Sequence, residues 1–168
     1  MLIRPARPED ADAVARVHVR TWQAAYRGLL PDDYLASLRP EDRARRYTFG
    51  SSDPLQPTTL VAVEGTEIIG FATTAPARDP DCLGQGELAA LHVDPGAWSR
   101  GAGRALIAAA RAQLVDRGYT AAILWVLAGN SRAEQFYLED GWLPDGARRT
   151  DQVWGATVDE VRFRRRLP

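Results

Sequence analysis

The spacing of apolar residues changes along the chain, and each change predicts an element. Leu2–Ala6 is a short apolar run that suits a first strand. Beyond it Val14, Val17, Thr21, Trp22 and Ala25 recur at three- and four-residue steps, which predicts an amphipathic helix. Pro8 and the acids Glu9, Asp10 and Asp12 suit its first turn, and Gly28 suits its stop. Pro31 and Pro40, each followed by acids, predict two short helices, and 51–58 reads as loop. From Thr59 to Pro76 two apolar runs meet at Gly65-Thr66, a hairpin pattern. A Pro- and Gly-containing loop, 77–86, precedes a third run, Glu87–Pro95. Residues 101–119 place Leu106, Ala110 and Leu114 on one helical face, with Gly118 as the stop. The unbroken apolar run in 120–130 predicts a strand covered on both sides. Residues 130–142 predict a second helix, capped by Asn130 and Ser131 and ended by Gly141, and Asp159–Pro168 reads as a final strand. This order describes a mixed sheet with helices packed on it, an α/β (α+β type) single domain over 1–168.

Composition narrows the partners. The chain has 168 residues, 45% hydrophobic and 26% charged, enough for one ordinary soluble globular domain with a real core. No run approaches the roughly 18 apolar residues of a membrane span. The N-terminus turns polar within ten residues, unlike a secretory signal, so a cytoplasmic location and no membrane partner are expected. The net charge of −1 lacks the basic excess of a nucleic-acid binder. The single cysteine, Cys82, has no second thiol for a disulfide or a thiolate metal site, so no metal is expected and Cys82 reads as a loop thiol without a role. All 21 basic residues are arginine, which excludes a phosphate loop of the GxxxxGK[ST] type.

The stretch Val93–Leu106, VDPGAWSRGAGRAL, leaves a strand and enters a helix through two close glycines. Unpaired N–H groups at a helix start, with the positive end of the helix dipole, form an anion site. Gly101 and Gly103 let an anion approach the main chain, and Arg100 and Arg104 can add charge-assisted hydrogen bonds. A dinucleotide fingerprint is incomplete, because Leu106 stands where the third small residue belongs and the next strand ends without an acid.

Together with N-S-R-A-E-Q-F-Y-L-E-D-G-W at 130–142, this stretch resembles the GNAT superfamily of acyl-CoA-dependent N-acyltransferases. The loop Trp98-Ser99-Arg100-Gly101-Ala102-Gly103 matches that family's [QR]-x-x-G-x-[GA] pyrophosphate loop, except that Trp98 replaces Gln or Arg. Asn130, Ala133, Phe136, Tyr137, Gly141 and Trp142 match its N-x-x-A-x-x-F-Y-x-x-x-G-[FW] helix. The resemblance is carried by 87–142. It implies a twisted mixed sheet splayed at the cofactor site, acetyl-CoA as cosubstrate, and direct transfer of the acetyl group to a primary amine in a ternary complex.

The same resemblance assigns residues. The cofactor would meet Leu91, His92 and Val93 on the strand edge, residues 98–104 on the loop, and Asn130, Phe136 and Tyr137 on the second helix. Tyr137 is the expected acid for the leaving thiolate, since a phenol of pKa about 10 can donate to it. Glu87 is the expected base, directly or through water; His92 can also serve. In an unbroken strand Glu87 and His92 face opposite ways, so both reach one site only if a bulge shifts the register. Trp22 and Tyr26, one turn apart, can border the acceptor. The acceptor class stays open among small amines, aminoglycosides, amino acids, peptide termini and protein lysines, and a homodimer is compatible with such folds. His18 reads as structural, and the terminal RFRRRLP as a charged, solvated edge strand. Two further readings remain open: a non-catalytic acyl-CoA sensor of the same fold, and an unrelated nucleotide binder.

Overall fold

The computed structural model describes every residue from Met1 to Pro168. Seven strands form one sheet: β1 (Leu2–Pro5), β2 (Thr58–Glu64), β3 (Glu67–Pro76), β4 (Gly86–Val93), β5 (Ala121–Leu127), β6 (Leu143–Val153) and β7 (Ala156–Arg166), in the spatial order β1-β2-β3-β4-β5-β7-β6. Only β4 and β5 run parallel; every other neighbouring pair is antiparallel. The helices are α1 (Ala11–Ala25), α2 (Asp32–Ser37), α3 (Pro40–Ala44), α4 (Ala102–Asp116) and α5 (Ser131–Glu139).

The start of α1 is pinned where the sequence places Pro8 and its acids. The Asp10 carboxylate accepts from the Arg7 amide at 2.7 Å and from the Arg4 guanidinium at 2.7 and 3.0 Å, tying the helix to β1. That pairing holds the Asp10 carboxyl below its usual range. One face of the sheet carries α4, whose Leu106, Ile107, Ala110 and Leu114 are buried against Leu60, Ala72, Leu88 and Leu124. Truncating Leu106 to Ala there should cost about 3 kcal/mol in lost contact and cavity. The opposite face carries α1, with Val14 and Val17 packed among Val61 and Phe71.

One expectation changes. The terminal strand β7 is not an edge: it lies between β5 and β6, and Arg162 within it is only 5% exposed. Its guanidinium donates to Asp79 at 2.9 Å, to Asp81 at 2.8 and 2.6 Å and to Asp145 at 2.7 Å, so the charge is matched inside the fold rather than solvated. The strand that covers it, β6, has no buried residue and a mostly polar sequence, and therefore carries no apolar alternation to read. Cys82 does lie in the β3–β4 loop, but it is buried against Ala77 and Ile123.

Candidate active site

The site begins with a failure of strand pairing. β4 and β5 pair only at Gly86–Ala122 and Glu87–Ile123 and share no partners beyond. The edge of β4 from Leu88 to Val93 therefore lies open. A cavity of about 560 Å³ occupies the gap, with residues from both faces of the sheet in its wall.

At one end sits the turn from β4 into α4. Ser99 (φ 62) and Gly101 (φ 90) both have left-handed backbone. For Ser99 that conformation carries strain, which such sites retain when the turn geometry is needed. As a result no backbone N–H from Ser99 to Arg104 finds an acceptor in the protein, and all sit at the positive end of α4. Gly101 serves the left-handed turn, whereas a Cβ on Gly103 would lie 3.3 Å from the Phe136 ring, so Gly103 lets α5 approach α4. Trp98 locks the turn to β4: its indole Nε1–H donates to the Val93 carbonyl at 2.7 Å.

Of the residues expected here, Trp98, Ser99, Gly101, Gly103, Arg104, Asn130, Phe136 and Tyr137 line the cavity; Arg100 and Ala102 do not. Arg100 turns away to pair with Glu64 at 2.6 Å. A cation the motif reading passed over takes part instead. Arg132 lines the cavity with its guanidinium 3.9 Å from the centroid of the Trp98 ring, and no carboxylate pairs with it. The residue was visible in N-S-R-A, directly after the Asn cap. That cap holds, with Asn130 Oδ1 accepting from the Ala133 amide at 3.3 Å. Unpaired N–H groups, Arg104 and Arg132 make a donor set that fits a polyphosphate such as the pyrophosphate of coenzyme A.

In the middle lie Leu91, His92 and Val93 on the open edge, opposite Tyr137 from α5. Tyr137 is 8% exposed, and burial pushes its phenol well above the ordinary value, so it stays protonated. β4 carries the bulge the sequence argument required: Thr73 pairs with Ala90 and Thr74 with Leu88, leaving Ala89 without a partner. The shift turns Glu87 and His92 to the same face as α1. They do not meet in the cavity, however. His92 lines it, while Glu87 lies outside the wall, next to the charges of Asp79 and Arg149. Burial raises the Glu87 carboxyl.

The far end is built by side chains. His18, Trp22, Tyr26, Arg43, Trp125 and Glu160 line it. His18 is thus part of the wall, stacked on His92 with ring centroids 4.8 Å apart. Arg43 Nε–H donates to His18 Nδ1 at 3.2 Å, so that nitrogen is the acceptor, and the Tyr47 hydroxyl lies 3.0 Å from it. Burial and the neighbouring Arg43 charge depress both imidazoles, His92 to about 4, so both are neutral at pH 7. Glu160, which no motif marked, is raised by burial but stays bound to Arg149 Nε at 3.0 Å. Trp154, at the tip of the β6–β7 hairpin, backs His18 and Trp22 with centroids 5.2 Å from each. These residues come from α1, α3, β4, β5 and β7, and nothing in their local sequence links them.

Outside the cavity, Asp79, Asp81 and Cys82 bring ligand-type atoms within 4.8 Å of one another. Both carboxylates already hold Arg162, which keeps the Asp81 carboxyl far below its usual range, so the cluster acts as a clasp between the β3–β4 loop and β7. No helix is long and apolar enough to cross a membrane.

The comparisons with known proteins agree with this geometry. The acetyltransferase (GNAT) family profile matches residues 19–142. YuaI of Bacillus subtilis, described as an uncharacterized N-acetyltransferase, is 31% identical over 128 residues, covering 76% of this chain and 72% of its own. Among solved structures, the PaiA N-acetyltransferase of Thermoplasma acidophilum, in complex with coenzyme A, superimposes with a TM-score of 0.72 at 20% identity, covering 98% of both chains. YncA of Salmonella typhimurium, a putative acetyltransferase with acetyl-CoA, gives 0.73 at 19% identity over 100% of this chain and 94% of its own. The split between β4 and β5, the glycine turn into α4 and the family match over the same residues lead to one conclusion: the chain belongs to the GNAT family of acetyltransferases.

Proposed function

We propose that the protein is an N-acetyltransferase that moves the acetyl group of acetyl-CoA directly onto a primary amine, with both held at once in the cavity between β4 and β5. The observation that carries this is the joining, in one cavity, of an unpaired N–H array at the start of α4 with a buried, protonated tyrosine and a carboxylate. The coenzyme supplies the thioester whose acyl group is transferred. The relatives solved with coenzyme A or acetyl-CoA support that choice of cosubstrate.

The protein's share follows from its residues. Residues 99–104, with Arg104 and Arg132, hold the pyrophosphate, while the open edge at Leu91–Val93 offers main-chain partners to the pantetheine amides, as an added strand would. Backbone N–H groups on that edge also serve the carbonyl oxygen as negative charge develops on it. The amine arrives as an ammonium of pKa about 10 and must lose a proton before it has a lone pair. Of the two carboxylates in the wall, Glu139 lies by the turn into α4 beside Arg104, and Glu160, at the far end, takes that proton; Glu87, behind the wall on the same face, acts through water. Trp22 and Tyr26 border the acceptor. The nitrogen–carbon bond forms, the carbon–sulfur bond breaks, Tyr137 gives its proton to the leaving sulfur, and the second proton that the nitrogen loses on becoming an amide restores the Tyr137 phenol.

Thiol release from acetyl-CoA across a panel of amines tests the reading. Tyr137→Phe should lower kcat on the best amine by about 10²-fold while acetyl-CoA still binds, and Glu160→Gln should lower it more than Glu87→Gln. Acetyl-CoA binding without thiol release from any amine would favour a sensor, and nucleotide binding in preference to coenzyme A would favour an unrelated binder.

A further inference from the structure

The far end of the cavity holds hydrogen-bond donors that the protein leaves without acceptors. Trp22 is only 5% exposed, lines the cavity, and its indole Nε1–H has no partner. An indole N–H can only donate, and leaving one buried and unpaired costs about 1–3 kcal/mol. Beside it stands a second donor-only group. The Arg43 guanidinium lies over the rings of Trp154 and Tyr47 at 5.3 and 5.8 Å, which fixes its plane, and its Nε–H is committed to His18. It forms no ion pair with a carboxylate; besides His18, the Tyr47 hydroxyl is the polar side-chain group it meets. Trp22 and Arg43 belong to one cluster, because both touch His18 and Trp154.

The remaining charge at this end points the same way. Glu160 is the carboxylate at this end of the wall, and Arg149 already pairs with it. A guanidinium with no ion-pair partner, in a wall whose carboxylate at this end is already paired, repels a polyamine or an aminoglycoside and attracts an amine that carries its own anion. A planar fork with an adjacent N–H suits a carboxylate, which can accept two parallel bonds from the guanidinium and one from the indole. The aromatic walls of Trp22, Tyr26 and Trp125 then receive an apolar remainder.

Resting on the transferase reading above, we infer that the acceptor is a small amino acid, its carboxylate held by Arg43 and Trp22 while its amine is acetylated. The carboxylate takes no part in the bonds made and broken: the amine nitrogen bonds to the acetyl carbon as the thiolate leaves with the Tyr137 proton. The same two donors would hold the N-acetyl amino acid as product.

The test is thiol release from acetyl-CoA with the twenty protein amino acids and their α-amides, with spermidine and kanamycin as cationic amines, on the wild type, Arg43→Gln and Arg43→Lys. At least one acid should exceed its amide by about tenfold or more in kcat/KM, the size expected of a charge-assisted fork. Arg43→Gln should collapse that ratio toward one through KM, Arg43→Lys should recover part of it, and the acetyl-CoA Kd should stay within about twofold, showing that the variants are folded. Amides as good as acids, cationic amines preferred over both, or equal losses for acid and amide in Arg43→Gln would each overturn the carboxylate assignment and leave the transferase reading intact. Silence of every amine with acetyl-CoA still bound would also overturn it. Silence together with no acetyl-CoA binding would remove the transferase reading too.

Discussion

The two ends of the cavity are made of different material. The end proposed for the coenzyme is largely main chain: a left-handed turn at Ser99 and Gly101, the free N–H groups that follow, and the open edge of β4. The end proposed for the acceptor is almost entirely side chain, with His18, Trp22, Arg43, Trp125 and Glu160 delivered by four separate elements. Main-chain recognition requires only that the turn form, so a short motif specifies it. Recognition by side chains from scattered elements can change one residue at a time while the fold and the coenzyme site persist. A family that keeps its cosubstrate while varying its acceptor needs that separation.

Substitutions at one end should therefore leave the other alone. The largest effect is expected for Gly101→Val: a β-branched residue resists φ near +90°, the N–H array loses its aim, and acetyl-CoA affinity in calorimetry should fall on the order of a hundredfold. A substitution at Arg43 with an equally large loss of acetyl-CoA affinity would break the division. Next comes the Trp98–Arg132 pair. Arg132→Ala should weaken acetyl-CoA by about tenfold in low salt, with the difference narrowing as salt rises, while leaving the acceptor KM in place. Trp98→Ala should do the same through the lost platform, sharpening the claim that this ring supports Arg132 in place of the Gln or Arg that opens the family loop.

The smallest effect is on stability. His18 and His92 are held neutral in the fold, with pKa values below the ordinary 6.5. The unfolded chain therefore binds more protons, and stability is full above about 6.5 and declines as pH falls toward the folded values. Thermal unfolding followed from pH 7 to pH 5 should show a falling Tm, and His92→Asn should flatten the slope without changing acetyl-CoA affinity at pH 7. An unchanged slope would mean the stacked imidazoles are not the groups responsible.

The same division explains what could be read from the chain. Helices α4 and α5, the β2–β3 hairpin and the covered strand β5 were legible because their apolar spacing is strong and glycine or a cap ends them. So was the anion turn, which is local. β6 was not, since its residues are mostly exposed and polar, and with β6 hidden β7 read as an edge. Arg162 looked solvated because the three aspartates that bury its charge lie on the β3–β4 loop and on β6, far away in sequence. Glu160 and Arg43 gave no local sign for the same reason: each becomes part of a site only when the sheet brings their elements together. The bulge at Ala89 was foreseen as a condition, but it turned Glu87 to the correct face without bringing it to the cavity wall.

The central claim is that one cavity holds thioester and amine together and the acyl group passes directly between them. No cysteine lines that cavity, Cys82 being buried elsewhere against Ala77 and Ile123. The initial-rate pattern of thiol release, with acetyl-CoA and the best amine both varied, tests this most directly. Direct transfer in a ternary complex predicts double-reciprocal lines that intersect; parallel lines, the mark of a covalent acyl-enzyme, would contradict it.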